Sequence, residues 1–240
     1  PALQNHQPYR TQDRMSVLNV GIFLVLFVVI STGLPIYLHY ATHGVVTAIH
    51  GCMAFFLSLN TLICLWEIAL GLYISHIQAD YKKLKEKYGD KPFDSVTDFF
   101  VHPLPLSSAV SLRFWTKVWS TYSLYDPSYQ NNESFGFFID VGNGWSTILP
   151  SIVWLFAITY HDLVDPKVLG CIGIAKFWQE MYGTVIYALS YFFNKRYTGR
   201  TVGEVILFVG LTNGLWFAFP ILGIYCSVMM IFTNSYNVFL

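Results

Sequence analysis

Of 240 residues, 54% are hydrophobic and 12% charged, and the mean hydropathy is +0.47; this excludes an ordinary soluble domain of this length and points to an integral membrane protein. Fourteen basic residues balance fourteen acidic ones, and no nucleic-acid partner is expected.

Five apolar segments, approximately 16–38, 47–75, 135–160, 168–193 and 203–232, reach the roughly 20 residues that a helix needs to span a bilayer. Backbone amides in hydrocarbon find no water to bond, so spans must be helices or a closed barrel. Continuous apolar runs, rather than period-two alternation, select helices. The expected fold is therefore all-α: a polytopic membrane protein built as a five-transmembrane-helix bundle, with an interfacial segment between the second and third helices.

In chain order, residues 1–15 form a polar tail that begins with Pro1 rather than Met. Either an upstream targeting segment has been removed or the chain continues further, and both explanations stay open. Residues 16–75 hold the first two spans. His39, His43 and His50 are spaced by four and seven, which would align them on a continuous helix and make them candidate axial ligands for a porphyrin. Gly44 interrupts that helix, so the segment reads better as a loop between spans. Within the second span, Glu67 is the lone carboxylate of LICLWEIALGL.

Residues 76–134 are the longest stretch outside the spans. DYKKLKEKYGDK at 80–91 continues the second helix into the headgroup region, and 98–119 reads as a segment lying along the membrane with Trp115 and Trp119 as aromatic anchors. Residues 135–232 carry three further spans. Asp140 and Asn143 open the third; Lys176, Gln179 and Glu180 lie in the fourth, and Lys176 and Glu180, four apart, are expected to pair. Asn213 and Trp216 lie in the fifth, three apart on one helix face.

Arg10 and Arg14 precede the first span. Lys82, Lys83, Lys85, Lys87, Lys91, Arg113 and Lys117 lie between the second and third, and Lys195, Arg196 and Arg200 follow the fourth. All fall on one side, against Lys167 on the other, so the N-terminus belongs on the positive-inside face. Cys52, Cys64, Cys171 and Cys226 read as buried free thiols, with no spacing for a disulfide framework or a metal site.

Polar groups within spans are costly and mark candidate sites. Glu67, Asp140, Asn143, Glu180, Asn213 and Trp216 come from four spans, and with Tyr182 they are expected to wall a pocket ringed by aromatics. Such a pocket suits a flat apolar ligand with one polar end. No cofactor is required; a lipid, sterol or pigment could be bound.

Three stretches carry a family resemblance. Trp119, Tyr122, Asp126 and Tyr129 form W-x-x-Y-x-x-x-D-x-x-Y, with Asp140 eleven residues on; Tyr182 to Tyr187 reads YGTVIY; and Asn213, Trp216 and Pro220 form N-x-x-W-x-x-x-P. Residues 115–230 thus resemble the emopamil-binding, or EXPERA, family, which includes sterol Δ8-Δ7 isomerase-like and sigma-2 receptor-like membrane proteins. The resemblance implies that Asp140 stands where the isomerase has a Glu. It also implies that Glu67 corresponds to the Glu of its second helix, and that Asn213 and Trp216 match its Asn and Trp. In that reaction carboxyl groups add and remove protons while an aromatic face steadies a carbocation. Ile63 occupies the place of the isomerase's His, four residues before Glu67, and Asp140 is one methylene shorter than Glu. These departures favour a binding protein that is not a catalyst, or an accessory subunit of a larger membrane complex; a double-bond isomerase using Glu67 and Asp140 is the alternative. The membrane is endoplasmic reticulum or organellar, chloroplast (thylakoid) or mitochondrial.

Overall fold

A computed structural model describes residues 18–89 and 91–240. The polar tail, with Arg10 and Arg14, lies outside the described residues. The described residues are helical, with no strand beyond a single antiparallel bridge between Asn19 and Pro103.

Helix α1 runs Val20–His43, capped at its start by the Asn19 side chain, which accepts from the Ile22 amide at 2.8 Å, and stopped by Gly44 at φ 73°. Only four residues separate it from α2, Ala48–Leu72. The chain then breaks at Tyr73, so the basic DYKKLKEKY stretch belongs to a new helix, α3 (Ile74–Tyr88), and does not prolong α2. Shorter helices follow: α4 (Pro92–Val101), α5 (Leu106–Ala109) and α6 (Leu112–Tyr122). A 3₁₀ turn at Pro127–Gln130 leads to α7 (Phe135–Ala157), and Asp165 with Pro166 starts α8 (Pro166–Phe193). The last long helix comprises α9 (Val202–Val205), a π turn at Ile206–Leu211 and α10 (Thr212–Thr233).

Three helical stretches, Val20–His43, Ala48–Leu72 and Val202–Thr233, are long and apolar enough to cross a membrane. Helices α7 and α8 are comparably long but carry Asp140 and Asn143, and Lys176, Gln179 and Glu180, which dilute their apolarity. Helices α2, α7, α8 and α10 pack together, α2 chiefly on α7 and α8 on α10. Small residues permit the close approaches. A Cβ at Gly144 of α7 would lie 2.7 Å from Glu67 Cβ and 2.9 Å from the Cys64 carbonyl of α2. Helix α1 lies outside this core against α2 and buries only Val20 and His39.

The two ends of the bundle differ. At one end the α1–α2 turn, the α7–α8 loop and the C-terminal turn meet: Thr47 donates to the Phe239 carbonyl at 3.1 Å, and the Tyr236 hydroxyl to that of Val164 at 2.7 Å. At the other, Arg196 after α8 pairs with Asp126 at 2.8 Å, and the Tyr122 hydroxyl donates to the Phe208 carbonyl at 3.0 Å. There the aromatic stretch turns inward. Trp115 and Trp119 are buried against Trp66 of α2, so they are core side chains and not anchors facing a membrane. The thiols also divide: Cys64 and Cys226 are buried, whereas Cys52 and Cys171 lie exposed on helix faces.

Candidate functional site

Helix α2 presents Asn60, Ile63 and Glu67 on one face, since steps of three, four and seven residues return to the same side of a helix. Around that face α6, α7, α8 and α10 enclose a cavity of about 220 Å³. Glu67, Asp140, Asn143, Glu180, Asn213 and Trp216 all line it. Tyr182 does not reach it: that side chain is half exposed on the outer face of α8, stacked with Trp178. Each member of the pair lies one position before a residue that does face inward, Trp178 before Gln179 and Tyr182 before Gly183.

At the wall formed by α2 and α7, the Asn143 amide donates to both oxygens of Glu67, at 3.1 and 2.9 Å. Asp140, one turn earlier on α7, keeps part of its surface open to the cavity, and the Tyr129 hydroxyl lies beside it. Glu67 and Asp140 are close enough to repel when both are charged. The expected pairing of Lys176 and Glu180 is present, at 2.7 Å with both side chains almost wholly buried. The Lys176 ammonium also lies 4.3 Å from the Phe177 ring centre.

Asn60 joins the walls together. Its amide donates to Glu180 Oε1 at 2.7 Å and to Ser151 Oγ at 3.0 Å, and its carbonyl oxygen accepts from the Trp216 indole at 2.8 Å. One buried side chain thereby links α2, α7, α8 and α10. Its sequence signal is the seven-residue step to Glu67, two polar groups on one face of a mostly apolar helix. Asn213 is oriented by the π turn, its amide donating to the Val209 carbonyl at 2.8 Å, a backbone acceptor that the wider turn leaves accessible.

The cavity floor is aromatic. Trp119, Tyr122, Tyr129 and Tyr187 pack ring against ring, and the Trp119 indole donates to the Trp66 carbonyl at 2.6 Å. Burial holds the Tyr122 phenol up at about 12 and that of Tyr129 well above its ordinary value, so both remain hydrogen-bond donors at any physiological pH. Asp126 lies behind this floor, accepting from Arg196 at 2.8 Å and from the Tyr187 hydroxyl at 2.8 Å. The W-x-x-Y-x-x-x-D-x-x-Y stretch therefore splits into three rings facing the cavity and one carboxylate anchoring them to the end of α8.

The histidines lie at the opposite end. His39, His43 and His50 are joined by His161 from the α7–α8 loop: His39 stacks on His50 with ring centres 3.6 Å apart, and His43 on His161 at 4.4 Å. His39 and His50 are thus face to face in contact, which leaves no gap for a porphyrin plane between them. Among the described residues no group of three or more His, Cys, Asp or Glu side chains has the arrangement to hold a metal ion. No protein-family model, curated protein or solved structure matches the chain. The side chains themselves define the site: a small, mostly aromatic cavity with carboxylates and amides on its walls.

Proposed function

We propose that the chain is a five-span EXPERA-like membrane protein that binds a flat apolar ligand with one polar end, a sterol, isoprenoid, other lipid or pigment, without converting it. It acts alone or as an accessory subunit of a larger membrane complex in the endoplasmic reticulum or an organelle. In this reading α1, α2, α7, α8 and the Val202–Thr233 helix are the spans. The end bearing Lys82, Lys83, Lys85, Lys87, Arg113, Lys117, Lys195, Arg196 and Arg200 faces inward.

One observation carries the ligand reading: Glu67, Asp140 and Asn143 offer hydrogen-bonding groups from α2 and α7 to a space whose remaining wall combines Trp66, Trp119, Tyr122, Tyr187 and Trp216 with Gln179, Glu180, Thr212 and Asn213. Aromatic faces suit fused rings, and a few convergent polar groups orient them. At about 220 Å³ the cavity is smaller than the roughly 300–1,000 Å³ of pockets for drug-sized ligands, so it holds the polar end and first rings while the rest extends between helices. Ile63, on the cavity wall where the isomerase carries a His, removes a proton-transfer partner from beside Glu67.

A photoreactive sterol probe on the purified protein tests the reading. Saturable labelling of peptides containing Glu67, Asp140 or Trp216, reduced by Ile63→Phe, is expected; labelling that competitor sterol cannot displace would refute it. The alternative, isomerisation by Glu67 and Asp140 with Trp216 facing the cation, is favoured by the Asp140 carboxyl open to the cavity beside Tyr129. It requires deuterium from solvent to enter a Δ8 sterol as the double bond shifts. No incorporation, under conditions where a known isomerase works, eliminates it.

A further inference from the structure

Away from the central cavity, α3, α4 and α6 border two adjoining hollows of about 350 and 290 Å³, which share Asp80, Lys83 and Lys117. Their charges do not cancel. Lys83, Lys87, Arg113 and Lys117 face only two carboxylates, Asp80 and Asp98. Each carboxylate already has its lysine, Lys83 at 3.4 Å from Asp80 and Lys87 at 3.6 Å from Asp98. Among the described residues, Arg113 and Lys117 have no carboxylate within ion-pair distance.

Lys117 is the more telling of the two. It is half buried, its ammonium donates to His102 Nε2 at 3.4 Å, and it lies 4.9 Å from the centre of the Phe114 ring. Both neighbours are uncharged, because burial, and then Lys117 itself, hold His102 below its ordinary value and keep the ring neutral. Burial likewise pushes Lys117 down, the mark of a cation without an adequate counter-charge. An anion in the hollow would supply it. The elements beside it indicate which kind: on α4, whose Ser95 and Asp98 face the larger hollow, Phe93, Phe100 and Val101 are exposed on other sides of the helix, as are Leu106 and Val110 around α5. Apolar side chains beside a basic hollow form the pattern of a surface that enters the headgroup boundary and meets anionic lipid there.

We propose that the hollow between α3 and α6, where Arg113 and Lys117 both face the space, binds the phosphate of an anionic lipid headgroup. This rests on the membrane reading of the chain but not on the ligand of the central cavity. Native mass spectrometry of the detergent-solubilised full chain would use phosphatidic acid, phosphatidylcholine and inorganic phosphate as separate probes. Phosphatidic acid adducts should outnumber those of phosphatidylcholine, and Lys117→Gln and Arg113→Gln should each weaken them roughly fivefold, while Lys167→Gln leaves them unchanged. In the unsubstituted protein the preference should shrink as ammonium acetate is raised, a readout that does not depend on a variant folding. Equal losses from Lys167→Gln, or no preference over phosphatidylcholine, overturn the site. Displacement of phosphatidic acid by equimolar inorganic phosphate overturns the lipid as its source. Release of the chain from membranes by alkaline carbonate would count against the membrane reading itself, separately from these outcomes.

Discussion

Replacing Asn60 by Leu removes three interhelical hydrogen bonds at once. Glu180, 4% exposed, then keeps only Lys176, and the Trp216 indole loses its acceptor, whereas Ser151 still donates to the Thr147 carbonyl at 2.7 Å. Interhelical bonds in membranes average about 0.6 kcal/mol, which puts the loss near 2 kcal/mol for three. Counting ~2 kcal/mol for an amide bonded to a buried carboxylate and ~2 kcal/mol for a stranded indole raises it to about 4 kcal/mol. The measurement is equilibrium unfolding in mixed micelles titrated with sodium dodecyl sulfate, with Trp216→Phe and the double variant completing a cycle. Trp216→Phe keeps a ring but removes the donor, so Asn60→Leu should cost about 1 kcal/mol less in that background. A single-variant loss under about 0.5 kcal/mol, within the range of ordinary surface substitutions, would refute the view that Asn60 joins the four helices.

Two glycines on α7 give a sharper contrast. Gly144→Ala would press a methyl against the backbone of α2 and should cost about 1–3 kcal/mol, whereas Gly142→Ala meets nothing within 4 Å and should be neutral or stabilising by up to ~1 kcal/mol; the same micelle titration compares them. Lys176→Met strands a buried carboxylate and should destabilise by about 3–5 kcal/mol, while Lys176→Met with Glu180→Leu should cost less than the single change; an additive double variant would contradict the pairing. Burial, and then His43, hold His161 below its ordinary 6.5, so the packed loop favours the neutral ring. Between the two values the unpacked ring binds a proton that the packed one does not. The contribution is therefore full above about 6.5 and is lost as pH falls through the folded value. Hydrogen exchange over 158–165, corrected for its intrinsic rate, should speed up at pH 5 relative to pH 7.5, and His161→Asn should reduce that dependence, the remainder belonging to His43 and His50, which bond Thr159 in the same loop.

Helix positions and the facing of polar groups were largely legible in the sequence, because hydropathy and helical spacing act within one segment. The apolar run 203–232 corresponds to Val202–Thr233, and Asn213 and Trp216 do share a face toward the cavity. What one segment meets on another was not legible. Asn60 resembles any isolated amide until Ser151, Glu180 and Trp216 arrive from three other helices. Trp115 and Trp119 have the composition of interfacial anchors, yet the break at Tyr73 lets α6 fold back against α2 and bury both. His161 stands more than a hundred residues from His50, and only the closing of the α7–α8 loop brings them to one end. Tyr182, inside a motif that carries the resemblance, fails for the opposite reason: a motif fixes spacing, but one step around α8 separates outward from inward positions.

The π turn at Ile206–Leu211 holds one more residue than an α-helical turn of the same rise, and so takes up that residue while keeping the two parts of a single rod in phase. The Tyr122 bond to the Phe208 carbonyl fastens the turn to α6, and beyond it Asn213 and Trp216 look into the cavity. Deleting Gly210 would restore an ordinary α-helical turn and leave the two parts in nearly the same phase, because the extra residue adds almost no net rotation. The Tyr122 bond and the inward facing would then survive together, and what would change is the turn itself, whose Val209 carbonyl accepts from the Asn213 amide. An insertion of one residue at such a turn is thus absorbed where it occurs, and descendants of such a chain could lengthen this helix without re-aiming the wall above it.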